Sequence, residues 1–291
     1  MKILTFDIGG TEIKYGFFDE NFNLVEKNSV PTNAHEGGKR IIERIVEIIK
    51  NCGGADRIGI STAGQVDSVK GEIIFATETL PGYTGMKIKE IIEAETGIPT
   101  AVENDVNSAA IGEAFFGAAK GCPNFICLTY GTGIGGAIFL DGKLFTGATF
   151  SAGEVGHMIT HANGRECTCG GKGCYETYAS ARALVNTVNE KLGTQMNGRE
   201  IFANFENPEI RALIDEWIDE IVIGLKSLIY IFNPPIVVVG GGIMNEKYIT
   251  DEINKRLADE LMGSFNKVKI VKALMGNDAN KLGAAYLASK I

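Results

Sequence analysis

Several features that would place a chain outside the globular class are missing here. No apolar run reaches membrane-spanning length, because Asp219, Glu220 and Lys226 interrupt the longest candidate. No basic start followed by an apolar centre and a small-residue cleavage site opens the chain, which runs directly into the strand-like Met1-Lys2-Ile3-Leu4-Thr5-Phe6-Asp7. A basic excess is absent too. The net charge is −8, which argues against nucleic acid or an anionic membrane as the main partner. With only 7 prolines, and no Pro/Ser-rich linker or low-complexity stretch, the parts of the chain are expected to dock closely. Six cysteines, three of them clustered, suit a reducing compartment, so the expected setting is the cytoplasm. Cys52, Cys122 and Cys127 stand apart and read as small core or surface residues, and His35 and His161 read as loop or surface residues.

What is present describes an α/β protein. The 291 residues, 45% of them hydrophobic, can form one large or two ordinary domains around a sizeable core. Lys2–Phe6 and Ile13–Phe18 read as strands around the hairpin signal Asp7-Ile8-Gly9-Gly10-Thr11. Lys39–Lys50 carries apolar residues at helical spacing, Arg57–Ile60 reads as a buried strand, and Lys87–Glu95 as a helix stopped by Gly97-Ile98-Pro99. Thr100–Val102 is then a strand and Val106–Phe116 a helix. A second hairpin follows, Phe125–Tyr130 and Gly136–Leu140 around Gly131-Thr132-Gly133-Ile134-Gly135. Similar glycine hairpins thus open both halves, a weak internal repeat that points to two related lobes facing a cleft. Residues 151–176 read as an insertion in the second lobe. Glu209–Phe232 reads as a long helix with a core-facing Trp217, stopped by Asn233-Pro234-Pro235, and Ile236–Val239 as a buried strand before Gly240-Gly241-Gly242. Lys281–Ala288 is a closing helix.

Chemistry concentrates at four places. Glu154-Val155-Gly156-His157 precedes Cys167-Thr168-Cys169-Gly170-Gly171-Lys172-Gly173-Cys174-Tyr175-Glu176, so one His and three Cys fall among glycines that allow tight convergence. That set suits a closed tetrahedral Cys₃His zinc site, structural because no position is left for water, which orders a loop presenting Glu154, His157 and Glu176 to a substrate. The two glycine hairpins can aim backbone N–H groups at an anion, with Thr11 and Thr132 adding hydroxyls and Asp7 able to hold Mg²⁺ through water. Taken singly, each is a plain turn; the pairing favours a phosphate cradle. Neither fits the G-x-x-x-x-G-K-[ST] loop or a G-x-G-x-x-G opening a helix. Asp105 sits where a strand meets a helix and reads equally as catalytic base or helix cap, with Asn104 as the other cap candidate and Glu103 as the rival carboxylate. Gly240-Gly241-Gly242 reads equally as a tight turn or as a close approach for a base or ribose.

These motifs together resemble the ROK family of sugar kinases and repressors. Asp7-Ile8-Gly9-Gly10-Thr11-Glu12-Ile13-Lys14 resembles its first phosphate motif. Glu103-Asn104-Asp105-Val106-Asn107-Ser108-Ala109-Ala110 resembles its hexose and catalytic segment, Gly131–Gly136 its second phosphate motif, and Val238–Gly242 its adenosine segment. The zinc segment matches E-x-G-H-x9-C-x-C-G-x-x-G-C-x-E at every fixed position. The resemblance implies an actin-like ATPase (ribonuclease H-like) fold. It implies an N-terminal α/β domain over residues 1–117, a C-terminal α/β domain over 118–277 with the zinc loop, a sugar and ATP cleft between them, and a final helix over about 278–291 returning to the first. Asp105 is then the general base. Gly64, Asn104, Asp105, Glu154, His157 and Glu176 are the sugar-binding positions. Asp7, Gly9, Gly10, Thr11, Lys14, Gly131, Thr132, Gly133, Gly240 and Gly241 serve Mg²⁺-ATP, and His157, Cys167, Cys169 and Cys174 are the zinc ligands. His157 places one ring nitrogen on zinc and the other toward a sugar hydroxyl. A homo-oligomer, most simply a dimer, is implied as well.

The sequence departs from the family pattern at Ala63, where proline is usual, and at Tyr83, where glucokinases often carry tryptophan. Cys167-Thr168-Cys169-Gly170-Gly171 resembles the glucose-type rather than the fructokinase-type zinc segment. The expectation is phosphorylation of the 6-hydroxyl of glucose or a glucose-like sugar, with β-glucoside kinase and N-acetylmannosamine or N-acetylglucosamine kinase as alternatives and polyphosphate as an alternative donor. A sugar-sensing repressor is disfavoured, because no helix-turn-helix precedes the strand at Lys2 and the charge is acidic.

Overall fold

The computed structural model describes the backbone of residues 1–291 and every side chain except that of Asn277. Contacts divide the chain into two units. The first holds Met1–Lys120, Thr146–Ala152 and Asn277–Ile291, and the second Gly121–Phe145 and Gly153–Gly276.

The first unit opens with strands β1 (Ile3–Ile8), β2 (Glu12–Phe18) and β3 (Leu24–Pro31) and helix α1 (Gly38–Asn51). Strands β4 (Arg57–Thr62), β5 (Gln65–Asp67) and β6 (Glu72–Phe75) come next, then helix α2 (Ile88–Thr96), strand β7 (Thr100–Asn104) and helix α3 (Asp105–Phe116). Five strands form one sheet in the order β3-β2-β1-β4-β7, antiparallel through the meander and parallel from β1 onward. Helix α1 forms because Ile41, Ile42, Ile45, Val46 and Ile49 recur on one face and bury against this sheet's core. Each such side chain contributes about 1.5–3 kcal/mol on full burial.

The second unit repeats the plan. Strands β8 (Phe125–Tyr130), β9 (Ile134–Leu140) and β10 (Lys143–Leu144) make its meander. Helices α4 (Glu176–Ala179), α5 (Ala181–Leu192), α6 (Gly198–Ala203) and α7 (Pro208–Phe232) follow. Strand β11 (Ile236–Gly240), helix α8 (Lys247–Glu260) and strand β12 (Lys269–Lys272) complete a sheet ordered β10-β9-β8-β11-β12. Both sheets therefore share one topology, as the paired glycine hairpins suggested. Helix α7 starts where Asn207 accepts from Glu209 N with Pro208 at the first turn, and stops at Asn233 in a left-handed conformation before two prolines. Trp217 is buried on it, its indole N–H donating to the carbonyls of Ala179 (3.1 Å) and Ser180 (3.0 Å). Among the described residues no helix is long and apolar enough to cross a membrane.

Helix α9 (Ala279–Ala288) belongs to the first unit and packs on α3, β1 and β4. Thr146–Ala152 also groups with the first unit, where Ser151 Oγ donates to Gln65 Oε1 at 3.0 Å.

Candidate active site and metal centre

In the first unit, register lines up the polar residues. Lys14, Asp7, Ser61 and Glu103 are cross-strand neighbours in a row across β2, β1, β4 and β7. Residues so paired share a face of the sheet. Asp7 Oδ1 accepts from Ser61 Oγ (3.1 Å) and from Asn280 Nδ2 (3.2 Å). The turn beyond Asp7 is closed by Gly9 N donating to Glu12 O, and is tied to the segment after β3 by Thr32, which donates through N to Thr11 O and through Oγ1 to Gly9 O.

Asn104 turns out to be the cap of α3. Its Oδ1 accepts from Val106 N (2.9 Å) and Asn107 N (3.0 Å), and its Nδ2 donates to Gly64 O (2.9 Å) and Asp105 Oδ1 (3.0 Å). One side chain thus fixes the helix start, the turn at Gly64 and the carboxylate of Asp105. Asp105 is the first helical residue, one position later than the cap. Loss of surrounding water, then the nearby negative charge of Asp7, raises its pKa from 3.8 to about 6. Glu103, the rival carboxylate, is 3% exposed and accepts from Asn107 Nδ2 and Asn104 N. Burial raises its pKa as well. Its bonds to Asn107 and Asn104 brace the start of α3, and Ser68 supplies a further side-chain hydrogen bond. Tyr83 is fully buried and shares a 2.8 Å hydrogen bond with Thr62 Oγ1, two residues before Gly64. Its role is to hold the end of β4.

In the second unit, Glu154 precedes and His157 ends a short 3₁₀ turn (Val155–His157), and the cysteine loop folds back so that one ligand atom each from His157, Cys167, Cys169 and Cys174 lies within 4.8 Å of the others. Cys167 Sγ is 3.6 Å from His157 Nδ1, and Cys169 Sγ 3.6 Å from Cys174 Sγ. A tetrahedral zinc with Zn–S near 2.3 Å would set S···S edges of about 3.7 Å, so the donor set and its spacing fit that ion. Nδ1 faces the thiols, while Nε2 lies 4.0 Å from Glu154 Oε2. Glu176, at the start of α4, reaches both the cluster (Oε1 to Cys167 Sγ, 3.2 Å) and the second glycine turn, where Oε2 accepts from Ile134 N at 3.4 Å. A Cβ on Gly133 would meet Glu176 Oε2 and require that carboxylate to turn aside. Gly241, with φ +109°, lets β11 end against the Tyr130 carbonyl, which a Cβ would overlap. His161 carries more than a surface role: it stacks on Tyr178 at 3.9 Å and its Nε2 lies 3.6 Å from Glu220 of α7.

Sequence reasoning missed Ser61 and Asn280, the two donors to Asp7, and the Tyr83–Thr62 bond. Register alone reveals Ser61, and nothing near Asn280 in the sequence signals its partner.

A ROK family model matches residues 3–291, and the chain belongs to that family. An uncharacterised protein of Clostridium perfringens is 41% identical over 96% of this chain and 95% of its own length. The beta-glucoside kinase of Listeria innocua is 33% identical over 98% and 97%. A crystal structure of a ROK family glucokinase from Streptomyces griseus with glucose and AMPPNP superposes with a TM-score of 0.85 at 31% identity, covering all of both chains. The fold is that of the actin-like ATPases, and the protein is a sugar kinase.

Proposed function

We propose that the chain transfers the γ-phosphoryl group of Mg²⁺-ATP to the 6-hydroxyl of glucose or a glucose-like sugar, with Asp105 as general base. The pKa of Asp105 carries this reading. A carboxylate held near 6 is ionised at neutral pH yet basic enough to take a proton from an attacking hydroxyl, whereas an ordinary aspartate is a poor base. Asp7 would hold hydrated Mg²⁺, which when bound neutralises phosphate charge. Gly9, Gly10, Thr11 and Lys14, with Gly131, Thr132 and Gly133, take the phosphates; Gly240 and Gly241 face adenosine. Gly64 and Asn104 join Asp105 in sugar binding, as do Glu154, His157 and Glu176. Zinc on His157, Cys167, Cys169 and Cys174 is structural, and the Nδ1 contact to Cys167 supports His157 using Nε2 for sugar. A cytoplasmic dimer completes the proposal.

Relatives of similar identity carry the names glucokinase, beta-glucoside kinase and N-acetyl-D-glucosamine kinase. One substituent separates such substrates, and a pocket discriminates it by only about 1–3 kcal/mol. A coupled assay of ADP release across glucose, mannose, fructose, N-acetylmannosamine, N-acetylglucosamine and cellobiose, repeated with polyphosphate and direct detection of sugar phosphate, tests the reading. Preferred turnover of glucose with ATP is expected. Cellobiose alone would assign 6-phosphorylation of β-glucosides instead, and no sugar phosphate from the folded, zinc-loaded protein would refute the proposal.

A further inference from the structure

Asn280 lies in the first turn of α9 and donates to Asp7 Oδ1 at 3.2 Å, while Ser61 Oγ donates to the same oxygen at 3.1 Å. Among the described residues Oδ2 carries no hydrogen bond. Two donors on one oxygen fix the carboxylate's rotation and leave the other oxygen to a ligand.

The helix that brings Asn280 is itself immobilised. Its Ala279 carbonyl lies against Gly112 of α3, and Gly283 lies against the Ser108 carbonyl, both too close for a Cβ. Lys281 is fully buried and donates to Asp278 Oδ1 at 2.7 Å, and Lys27 of β3 lies 3.7 Å from that oxygen. Losing Asp278 would strand the buried Lys281 ammonium without its partner, so the first turn of α9 is held in place. It rests on the same helix that Asp105 opens and reaches the strand that carries Asp7.

We infer that Asn280 is a positioning residue for magnesium-phosphate binding: with Ser61 it orients Asp7 so that Oδ2 meets the hydrated cation. This rests on the role proposed for Asp7. The test compares ATP binding with and without Mg²⁺ by titration calorimetry in the full chain and in Asn280→Leu, Asn280→Ser, Ser61→Ala and Asp7→Asn. Leucine keeps the branched shape of asparagine and cannot donate. Asn280→Leu removes one of the two donors that orient Asp7 and should weaken Mg²⁺-ATP binding about tenfold, roughly 1.4 kcal/mol. Binding of metal-free ATP should stay within about twofold, and KM for sugar should hold while kcat falls. Unchanged Mg²⁺-ATP binding in a folded Asn280→Leu, alongside a loss in Asp7→Asn, would overturn the inference while sparing the Asp7 role. Unchanged binding in Asp7→Asn would overturn both. Should the leucine variant fail to fold, Asn280→Ser and Ser61→Ala decide: equal losses with and without Mg²⁺, or none, refute the positioning role.

Discussion

Replacing Asp105 by asparagine should make the protein more stable and nearly inactive at once. The side chain starts α3 with little water around it and faces the charge of Asp7, which together move its pKa from 3.8 to about 6. For a carboxylate whose pKa is raised on folding, the folded state binds its proton more tightly than the unfolded state. The ionised form therefore weakens the fold. This cost is absent below about pH 4, grows as pH rises between the two values, and is fully present above about pH 6. A shift of that size corresponds to about 3 kcal/mol. Residual contact with solvent reduces it, and about 1–2 kcal/mol is the expected gain at pH 8. Asparagine keeps the acceptor for the bonds that Oδ1 now receives from Val106 N and Asn104 Nδ2, so no other contact need be lost.

Urea unfolding of both proteins at pH 8 and pH 5 measures this directly. Asp105→Asn should have the higher midpoint at pH 8, and the difference should shrink at pH 5. Turnover should fall by about 10²–10⁴-fold, the usual worth of a general base. A variant no more stable than the parent at pH 8 would refute the assignment of burial and like charge as the source of the shift. A variant that turns over within tenfold of the parent would refute Asp105 as the base.

Three further outcomes follow from the geometry. The acid limb of kcat/KM against pH should have its midpoint near 6, because only ionised Asp105 accepts a proton; a limb near 4, where an ordinary aspartate titrates, would exclude it. Native mass spectrometry should find one zinc per chain, and Cys169→Ala, which removes one of four ligands, should lose it, with protease cuts appearing between residues 157 and 176; a metal-free protein with the same resistance would end the structural-zinc reading. Gly133→Ala should push a Cβ onto Glu176 Oε2 and turn that carboxylate away from Ile134 N, raising KM for sugar about threefold or more in steady-state kinetics, whereas an unchanged KM would show that Glu176 does not serve the sugar.

How much of this was legible in the sequence follows from how far apart the partners lie. The Cys₃His cluster was readable because its four side chains fall within one short stretch, and local spacing is what a sequence displays. The helices α1 and α7 were readable to within one residue or so because each buries a broad apolar stripe and α7 carries its own cap and stop. By contrast β3 and β12 went unread. Each is an edge strand whose side chains mostly face solvent, β12 burying only Ile270, so no alternation marks them. Helix α8 buries only Ile249, Ile253 and Leu257, a stripe too narrow to stand out. Strand β7 runs two residues past Val102 because Glu103 and Asn104 pair with Ser61 and Thr62, a register that exists only once β4 is beside it.

The same limit applies inside the site. Asp7 and Asp105 could be singled out from their neighbours in the chain, yet the state of each is set by groups far away. Ser61 and Asn280 reach Asp7 across 54 and 273 residues of sequence. Burial first, and then the charge of Asp7, raises the pKa of Asp105. A motif therefore identifies which carboxylate can act, but its basicity and orientation belong to the packing of α9 and α3 on the first sheet. Changes in that packing, made at residues without reactive groups, should tune the reaction as strongly as changes in the motifs themselves.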